Sequence, residues 1–421
     1  MFSVFSFTSL PSWLIESFQP GIAFISRFLD NFISPEKQLI PLIVFFNALL
    51  LFSIYLFSKK LWNNKTALWT ALIFTCSAIQ YRFYWYFYLK NIASLSFLFF
   101  AFTLFLSQSY WALIFTILVA YFHQQTAVFM LLIILFLAIF QKKQRIYYST
   151  IFVGTIIAAF PYYFSTFNNS LLPLIQPILN GFKPQALGGT LGIPSGTFYN
   201  FYTSLLLSLP YLIPGIYGFF VLIRQPKYYL ITIPFLITSA IVIFNLFFAR
   251  RFIPFWDIFL IILAGYGITK FFDDRKSLFS KKIFSFLYIA GILIFISIFI
   301  YKTGKPLIDP EEITEISQLN ETENNASILV TDEKYTSWVY GWSNRTTIAP
   351  GFGENDIYWT ENDWQQFWLS DDRQIEKNLL LKLPKPLYIY NGDRRRQIKT
   401  TFEGDCFERI NWRTYKFICD N

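Results

Sequence analysis

The sequence predicts an α-helical polytopic membrane protein of about nine to ten transmembrane helices followed by a small C-terminal α/β domain. Three observations carry that reading. Hydrophobic residues fill 54% of the 421 positions and charged residues only 14%, a balance too apolar for an ordinary soluble domain. The charges are sparse as far as Tyr301 and dense after Lys302, which divides the chain into a part solvated by lipid and a part solvated by water. Aromatic residues reach 21%, among them 52 phenylalanines, which suits helices facing lipid and one another, with Tyr and Trp collecting at the interfaces. The formal charge of +9 does not describe a nucleic-acid surface. Most of the lysines and arginines flank hydrophobic spans, where they set orientation, so no nucleic-acid partner is expected.

Taken in order, residues 1–37 hold apolar runs broken by Pro11, Pro20, Gly21 and Pro35, the pattern of an interfacial or re-entrant segment. Met1 to Leu14 lacks the positive region and small-residue cleavage site of a secretory signal. Residues 38–301 form the transmembrane domain. A stretch of about 17 to 24 apolar residues crosses a hydrocarbon core about 30 Å thick as a helix, because every backbone hydrogen bond must close internally. Such stretches fall near Leu39–Ser58, Thr66–Trp85, Ile92–Ser107, Trp111–Phe122, Ala127–Gln141, Tyr147–Ser165, Phe201–Ile223, Tyr228–Phe248, Phe252–Phe271 and Ile283–Tyr301. Trp111–Phe122 and Ala127–Gln141 are short and separated by His123-Gln124-Gln125-Thr126; they form either two short crossings or one hairpin.

If both cross, the positive-inside rule orients the chain in the plasma (inner) membrane. Lys59, Lys60 and Lys65, then Lys142, Lys143 and Arg145, then Arg224 and Lys227, then Arg275, Lys276, Lys281 and Lys282 occupy alternate loops and lie on the cytoplasmic side. The C-terminal domain is then extracytoplasmic, and so is the segment 1–37. A chain that begins outside either translocates that segment unaided or has its true start upstream, with one helix missing.

Residues 302–421 read as a soluble α/β fold. Pro306 and Pro310 make a linker, Glu311–Leu319 a short helix and Ser327–Thr331 a strand; Asn362–Leu369 and Arg373–Leu383 are helical, Pro386–Asn391 is a strand, and Cys406–Ile418 makes two strands joined at Asn411-Trp412. Of three cysteines, Cys76 lies in a span, while Cys406 and Cys419 share this domain. An oxidising exterior permits a Cys406–Cys419 disulfide, the alternative being two unpaired thiols. The domain contains no histidine, Gly-rich phosphate loop, nucleophile elbow or metal-ligand spacing, so covering a membrane-embedded site is the role expected of it.

Charges set against hydrophobic spans are costly and mark candidate sites. Arg250 and Arg251 stand at the outer mouth of adjacent helices. Two guanidiniums there suit the phosphate or diphosphate of a lipid carrier, because the planar fork binds oxygens in pairs. Asp257 falls near the helical face of Arg250, about 10 Å along the axis, and is either neutralised within the bundle or functional. Arg82 and Lys90 flank the aromatic belt Tyr81 to Tyr88; they join the phosphate site or snorkel to headgroups. His123, the single histidine, is a polar connector or a base. The long loop Thr166–Asn200, with Lys183, Gly188, Gly189, Gly192 and Gly196, is a lid or is simply disordered.

Several segments together resemble a known family. Ser17-Phe18-Gln19-Pro20-Gly21-Ile22-Ala23-Phe24, the helix Leu39–Ser58 ending in Lys59-Lys60-Leu61-Trp62, Ala67–Ala78 closing on Tyr81-Arg82, and Arg250-Arg251-Phe252-Ile253-Pro254 leading into Ile261-Ile262-Leu263-Ala264-Gly265-Tyr266-Gly267 resemble GT-C membrane glycosyltransferases of the protein-mannosyltransferase and aminoarabinose-transferase type. The resemblance runs from Ser17 to Phe272. It implies an enzyme, a hexosyltransferase, that takes a sugar from a polyprenyl-phosphate-linked donor at the outer membrane face and passes it to a glycan, lipid or protein acceptor. In that family an acid in the first outer loop activates the acceptor while basic side chains hold the donor phosphate. Arg250 and Arg251 match by position. The family's first helix has no counterpart here, and Glu16 is the nearest carboxylate, with Asp30 further along. No cofactor is specified, and a divalent metal stays open. Two other classes compete: a surface-polysaccharide polymerase or ligase, and a transporter or non-catalytic membrane scaffold. The first calls for arginines and a histidine in one long outer loop, which Thr166–Asn200 lacks; a transporter calls for internal repeats, and none is evident.

Overall fold

A computed structural model describes residues 20–33, 35–165, 198–244, 246, 249–274, 278–304, 308–350, 357–369, 372–392, 402 and 404–419. Glu16 and nearly all of the loop Thr166–Asn200 lie outside them. The described residues fall into two compact units, one ending at Gly304 and the other running from residue 308.

Every segment expected to cross the bilayer is helical. The helical unit contains α1 (Pro20–Leu29), α2 (Pro35–Leu61), α3 (Asn64–Thr75), α4 (Ala78–Trp85), α5 (Leu89–Phe105), α6 (Ala112–Phe122), α7 (Gln124–Phe140), α8 (Arg145–Ser165), α9 (Phe201–Leu222), α10 (Tyr229–Ile243), α11 (Ala249–Asp273) and α12 (Leu278–Thr303). Among the described residues six helices, α2 and α8 to α12, are long and apolar enough to cross a membrane, while α1, α5, α6 and α7 are shorter apolar helices. The protein is therefore a multi-pass membrane protein. Helix α1, ten residues long, reaches only about 15 Å and cannot span.

Two expectations change. The stretch Thr66–Trp85, read as one span, is two helices divided at Cys76 and Ser77, where Ser77 caps α4 by accepting from Gln80 N at 3.2 Å. Among the described residues of the stretch Tyr228–Phe248, the α-helix runs from Tyr229 to Ile243. The division of Thr66–Trp85 leaves backbone groups without helical partners inside an apolar medium, a situation tolerated only where protein groups satisfy them.

Helix α11 is the axis of the unit. All its side chains from Phe252 to Ala264 are buried, the pattern of a helix that is apolar all round and packed on every side. Its neighbours approach closely through glycine. A Cβ at Gly267 would lie 2.1 Å from the Pro214 carbonyl oxygen of α9, and one at Gly218 2.3 Å from that of Leu263; small residues let two membrane helices approach in this way. Helix α12 contrasts with it: among its described hydrophobic side chains only Ile292 and Ile296 are buried, in a cluster with Cys76 and Ala78.

The second unit contains α13 (Pro310–Gln318), β1 (Ser327–Val330), α14 (Glu333–Trp342), β2 (Thr346–Ile348), α15 (Glu361–Leu369), α16 (Arg373–Leu381), β3 (Leu387–Tyr390), β4 (Phe407–Arg409) and β5 (Thr414–Phe417). The sheet order is β2-β1-β3-β5-β4. Strands β2, β1 and β3 are parallel and β5 and β4 antiparallel, with Ile328 beside Thr347 and Tyr388, and Ile389 beside Tyr415. Alternation along the strands fills two cores. Ile328, Val330, Tyr388 and Tyr390 pack with Ile316, Tyr335 and Val339; Leu329, Leu387 and Ile389 pack with Trp364, Phe367 and Leu379. Helix α14 and the three-residue β2 were not foreseen in the sequence. Cys406 and Cys419 are joined, with Cα atoms 4.8 Å apart, and bracket the β4–β5 hairpin.

The close approach of α9 and α11 is open to a direct test. Gly267→Ala should destabilise the protein by about 1–3 kcal/mol through overpacking, seen as a lower thermal unfolding midpoint in detergent; Gly291→Ala, whose Cβ would meet nothing within 4 Å, should not. A second test concerns Glu376, which is 7% exposed with its Oε1 buried and lacking a hydrogen-bond partner. Burial raises its carboxyl from 4.5 to about 7, partly opposed by Arg373. Because the folded value lies above the ordinary one, this group's stabilisation is complete below about 4.5 and is lost as pH rises through about 7. At about 1.4 kcal/mol per unit the loss is on the order of 3 kcal/mol at most. Thermal unfolding of the whole chain between those pH values should therefore show falling stability that Glu376→Gln flattens.

Candidate anion site at one end of the helical unit

Helices α3 to α4 and α11 run antiparallel, which decides where the basic residues meet. At one end Lys65, at the start of α3, pairs with Asp273 at the end of α11 at 2.5 Å. Nearby Trp62 stacks on Tyr266 with ring centroids 5.0 Å apart. Near the other end Gln80 of α4 donates from Nε2 to the Pro254 carbonyl of α11 at 3.0 Å. Arg82 lies two residues beyond Gln80, and Arg250 and Arg251 lie in the first turn of α11. All three arginines thus share one end, called here the arginine end.

The remaining candidates gather there as well. Phe129 of α7 packs edge-on against Phe252 and Phe255 of α11, with centroids 5.8 and 5.7 Å apart, so the start of α7 meets the start of α11. His123 caps α7: it is buried, and its Nδ1 lies 2.8 Å from Thr126 Oγ1 and accepts from Thr126 N at 3.3 Å. The charges of Arg251 and Lys90 stand close enough to act on the His123 ring. The histidine is therefore engaged as a helix cap beside two cations. Helix α1 lies at the same end, since Gly21 abuts the Phe122 ring at the close of α6. In that segment Asp30 accepts from Gln38 Nε2 at 2.8 Å.

An aromatic wall lines the arginine end. The Arg82 guanidinium lies 3.9 Å from the Tyr86 ring centroid and 5.8 Å from that of Tyr199, cation–π contacts that orient it, and its Nη2 donates to Tyr86 OH. Phe198 packs on Phe83 and Tyr88. Two guanidinium donors are nevertheless unspent: Arg82 Nε and Arg250 Nε are both buried with no hydrogen-bond partner. A buried donor without an acceptor costs about 1–3 kcal/mol, more when charged, so such groups in a folded protein call for an explanation.

Asp257 stands apart from this cluster, about two turns deeper in α11. Arg250 is not among its hydrogen-bond partners. Its oxygens meet Ser77, Gln80 and Tyr211 instead. None of these three was singled out in the sequence, although Ser77-Ala78-Ile79-Gln80 carries the Ser-x-x-Gln signature of a helix start. Cys406 and Cys419 belong to the second unit. Glu16 lies outside the described residues. Among the described residues no group of three or more His, Cys, Asp or Glu side chains is placed to hold a metal ion.

Comparison with solved structures shows the same fold in archaeal oligosaccharyltransferases. The archaeal oligosaccharyltransferase AglB from Archaeoglobus fulgidus, solved in complex with an inhibitory peptide and a dolichol-phosphate, superposes with a TM-score of 0.59 at 11% identity, over 88% of this chain and 61% of that one. The Archaeoglobus fulgidus oligosaccharyltransferase in its apo form gives 0.59 at 12% identity over 89% of this chain and 61% of that one. The same enzyme tethered through a disulfide to an acceptor peptide containing an NVT sequon gives 0.61 at 12% over 89% and 60%. The chain thus spans about three fifths of the length of these relatives, and at such identity the likeness is one of fold. No family model matches the sequence, and no curated protein matches it either.

Proposed function

We propose that the protein is a membrane glycosyltransferase that moves a sugar from a polyprenyl-phosphate-linked donor to a glycan, lipid or protein acceptor at the outer face of the membrane. The observation that carries this reading is the pair of buried, unspent Nε donors on Arg82 and Arg250, set at the end where Lys90 and Arg251 also gather around His123. A phosphate group supplies the acceptors these donors lack, and the planar guanidinium fork matches its oxygens. The fold is consistent with it, since the relatives carry a dolichol-phosphate in one structure and an acceptor peptide in another.

In this reading the arginines act on both ground state and transition state. They seat the donor phosphate, and as the bond from sugar to phosphate breaks they stabilise the negative charge that collects on the leaving oxygen. The acceptor hydroxyl or amide needs a base, and a carboxylate within hydrogen-bond reach is the expected one. Glu16 is the acid to which the GT-C resemblance points; Asp30 is a second carboxylate in the same N-terminal segment. With Lys59, Lys142 and Arg224 on cytoplasmic loops, the arginine end faces outward and the second unit is extracytoplasmic.

Arg82→Ala and Arg250→Ala should each weaken binding of a polyprenyl-phosphate sugar to the purified protein. Loss of a hydrogen bond to a charged group, about 1.5–3 kcal/mol, corresponds to roughly ten- to hundredfold in affinity. Both variants should keep the wild-type unfolding midpoint. Unchanged affinity in the double variant would dismiss the phosphate site.

A further inference from the structure

A closed ring of polar side chains lies buried in the helical unit, and the donor site described above does not use it. Asp257 is 0% exposed. Its Oδ1 lies 2.6 Å from Tyr211 OH, its Oδ2 lies 2.8 Å from Ser77 Oγ, and Ser77 Oγ lies 3.0 Å from Tyr211 OH. Gln80 Nε2 stands 2.8 Å from Oδ2 and 3.0 Å from the Pro254 carbonyl oxygen. Three oxygen-to-oxygen contacts therefore close a triangle among Asp257, Tyr211 and Ser77.

Counting protons decides the state of the acid. Each contact needs one proton, and a serine and a tyrosine bring one apiece. Were Asp257 a carboxylate, both would be spent on it. Ser77 and Tyr211 would then face each other at 3.0 Å with no proton between them. We infer that Asp257 is held as the neutral acid: its Oδ1–H donates to Tyr211, Tyr211 donates to Ser77, and Ser77 donates to Oδ2, where the Gln80 amide fills the other lone pair. The surroundings agree. Among the described residues no ion pair reaches Asp257, and burying a lone carboxylate without a cation is far more costly than burying its acid. Of the charged groups on the packed elements, Arg82 is on α4, Arg250 and Arg251 lie about two turns away on α11 with Lys270 and Asp273 more than three turns the other way, Lys65 opens α3, and Lys281, Lys282 and Lys302 lie toward the ends of α12. Further titratable groups nearby are Cys76, next to Ser77 and buried, and Tyr288 on α12, whose hydroxyl is spent on the Pro210 carbonyl at 3.0 Å.

The ring sits at the break between α3 and α4. Through Ser77, the cap of α4, and Gln80 in its first turn, the acid on α11 fixes the short helix that carries Arg82. It thereby joins the two elements that carry the buried Nε donors of Arg82 and Arg250. Asp257 is thus a positioning residue for the donor-phosphate site, a role that rests on the function proposed above; the assignment of the proton does not.

Asp257→Asn tests both. Its Nδ2 donates to Tyr211 while its Oδ1 accepts from Ser77 and Gln80, so the amide reproduces the neutral ring and should keep the unfolding midpoint and the affinity for a sugar-free polyprenyl phosphate. Asp257→Ala and Tyr211→Phe each break the ring and should lower that affinity on the order of tenfold, by leaving buried partners unpaired and α4 unfixed. Infrared spectroscopy of the whole protein at neutral pH, in a Glu376→Gln background because Glu376 is itself partly protonated there, should show a protonated-carboxyl stretch that vanishes in Asp257→Asn. Absence of that band in the wild type, or an Asp257→Asn variant as impaired as Asp257→Ala, overturns the neutral acid. If the band is present but Arg82→Ala and Arg250→Ala leave phosphate affinity unchanged, the positioning role falls with the donor site and the proton assignment stands.

Discussion

A polar group inside hydrocarbon has no water to return to, and this constraint organises the helical unit. It acts most strongly where α3 gives way to α4. A helix interrupted in the bilayer exposes backbone groups that lipid cannot satisfy. Here the interruption is absorbed by protein: Ser77 accepts from the Gln80 amide, Gln80 reaches the Pro254 carbonyl, and Asp257 gathers Ser77, Gln80 and Tyr211. Proline at 254 has no N–H to give to the preceding turn, and Asp257 follows it within one turn of α11. The arginine end is then built on two anchored elements, α4 and the first turns of α11.

The two polar clusters differ in a way that separates support from function. Around Asp257 the oxygen and nitrogen atoms meet one another, and the one left over is Gln80 Oε1. At the arginine end the surplus is of donors on charged groups, with Arg82 Nε and Arg250 Nε both buried and unspent. Satisfied polar groups in a membrane interior hold structure, whereas a surplus of cationic donors beside an aromatic wall asks for an anion. His123 belongs to the first kind, since its ring caps α7 through Thr126.

Much of this was legible in the sequence because the bilayer imposes a length. Segments such as Ile283–Tyr301 could scarcely be anything but helices, and the basic residues beside them fix the alternation of loops. The gathering of Arg82, Lys90, Arg250 and Arg251 was also legible, as positions next to span ends on one side of that alternation. The break at Ser77 was not, because Thr66–Trp85 remains apolar through it and its capping signature is two side chains in a run of about twenty. Asp257 announced that it needed partners, yet those partners lie 46 to 180 residues away in sequence. In the second unit β2 is only three residues long, too short for alternation to register. Helix α14, rich in aromatics, has no periodic polar face to announce it.

The defining event at the arginine end is the settling of an anionic lipid head. Electron cryomicroscopy of the protein in lipid nanodiscs with a polyprenyl phosphate would locate it directly. Phosphate density within hydrogen-bond reach of Arg82 and Arg250, on the side of Lys90 and Arg251, is the result expected. Density at the opposite end, among Lys65, Arg224 and Lys227, would contradict it.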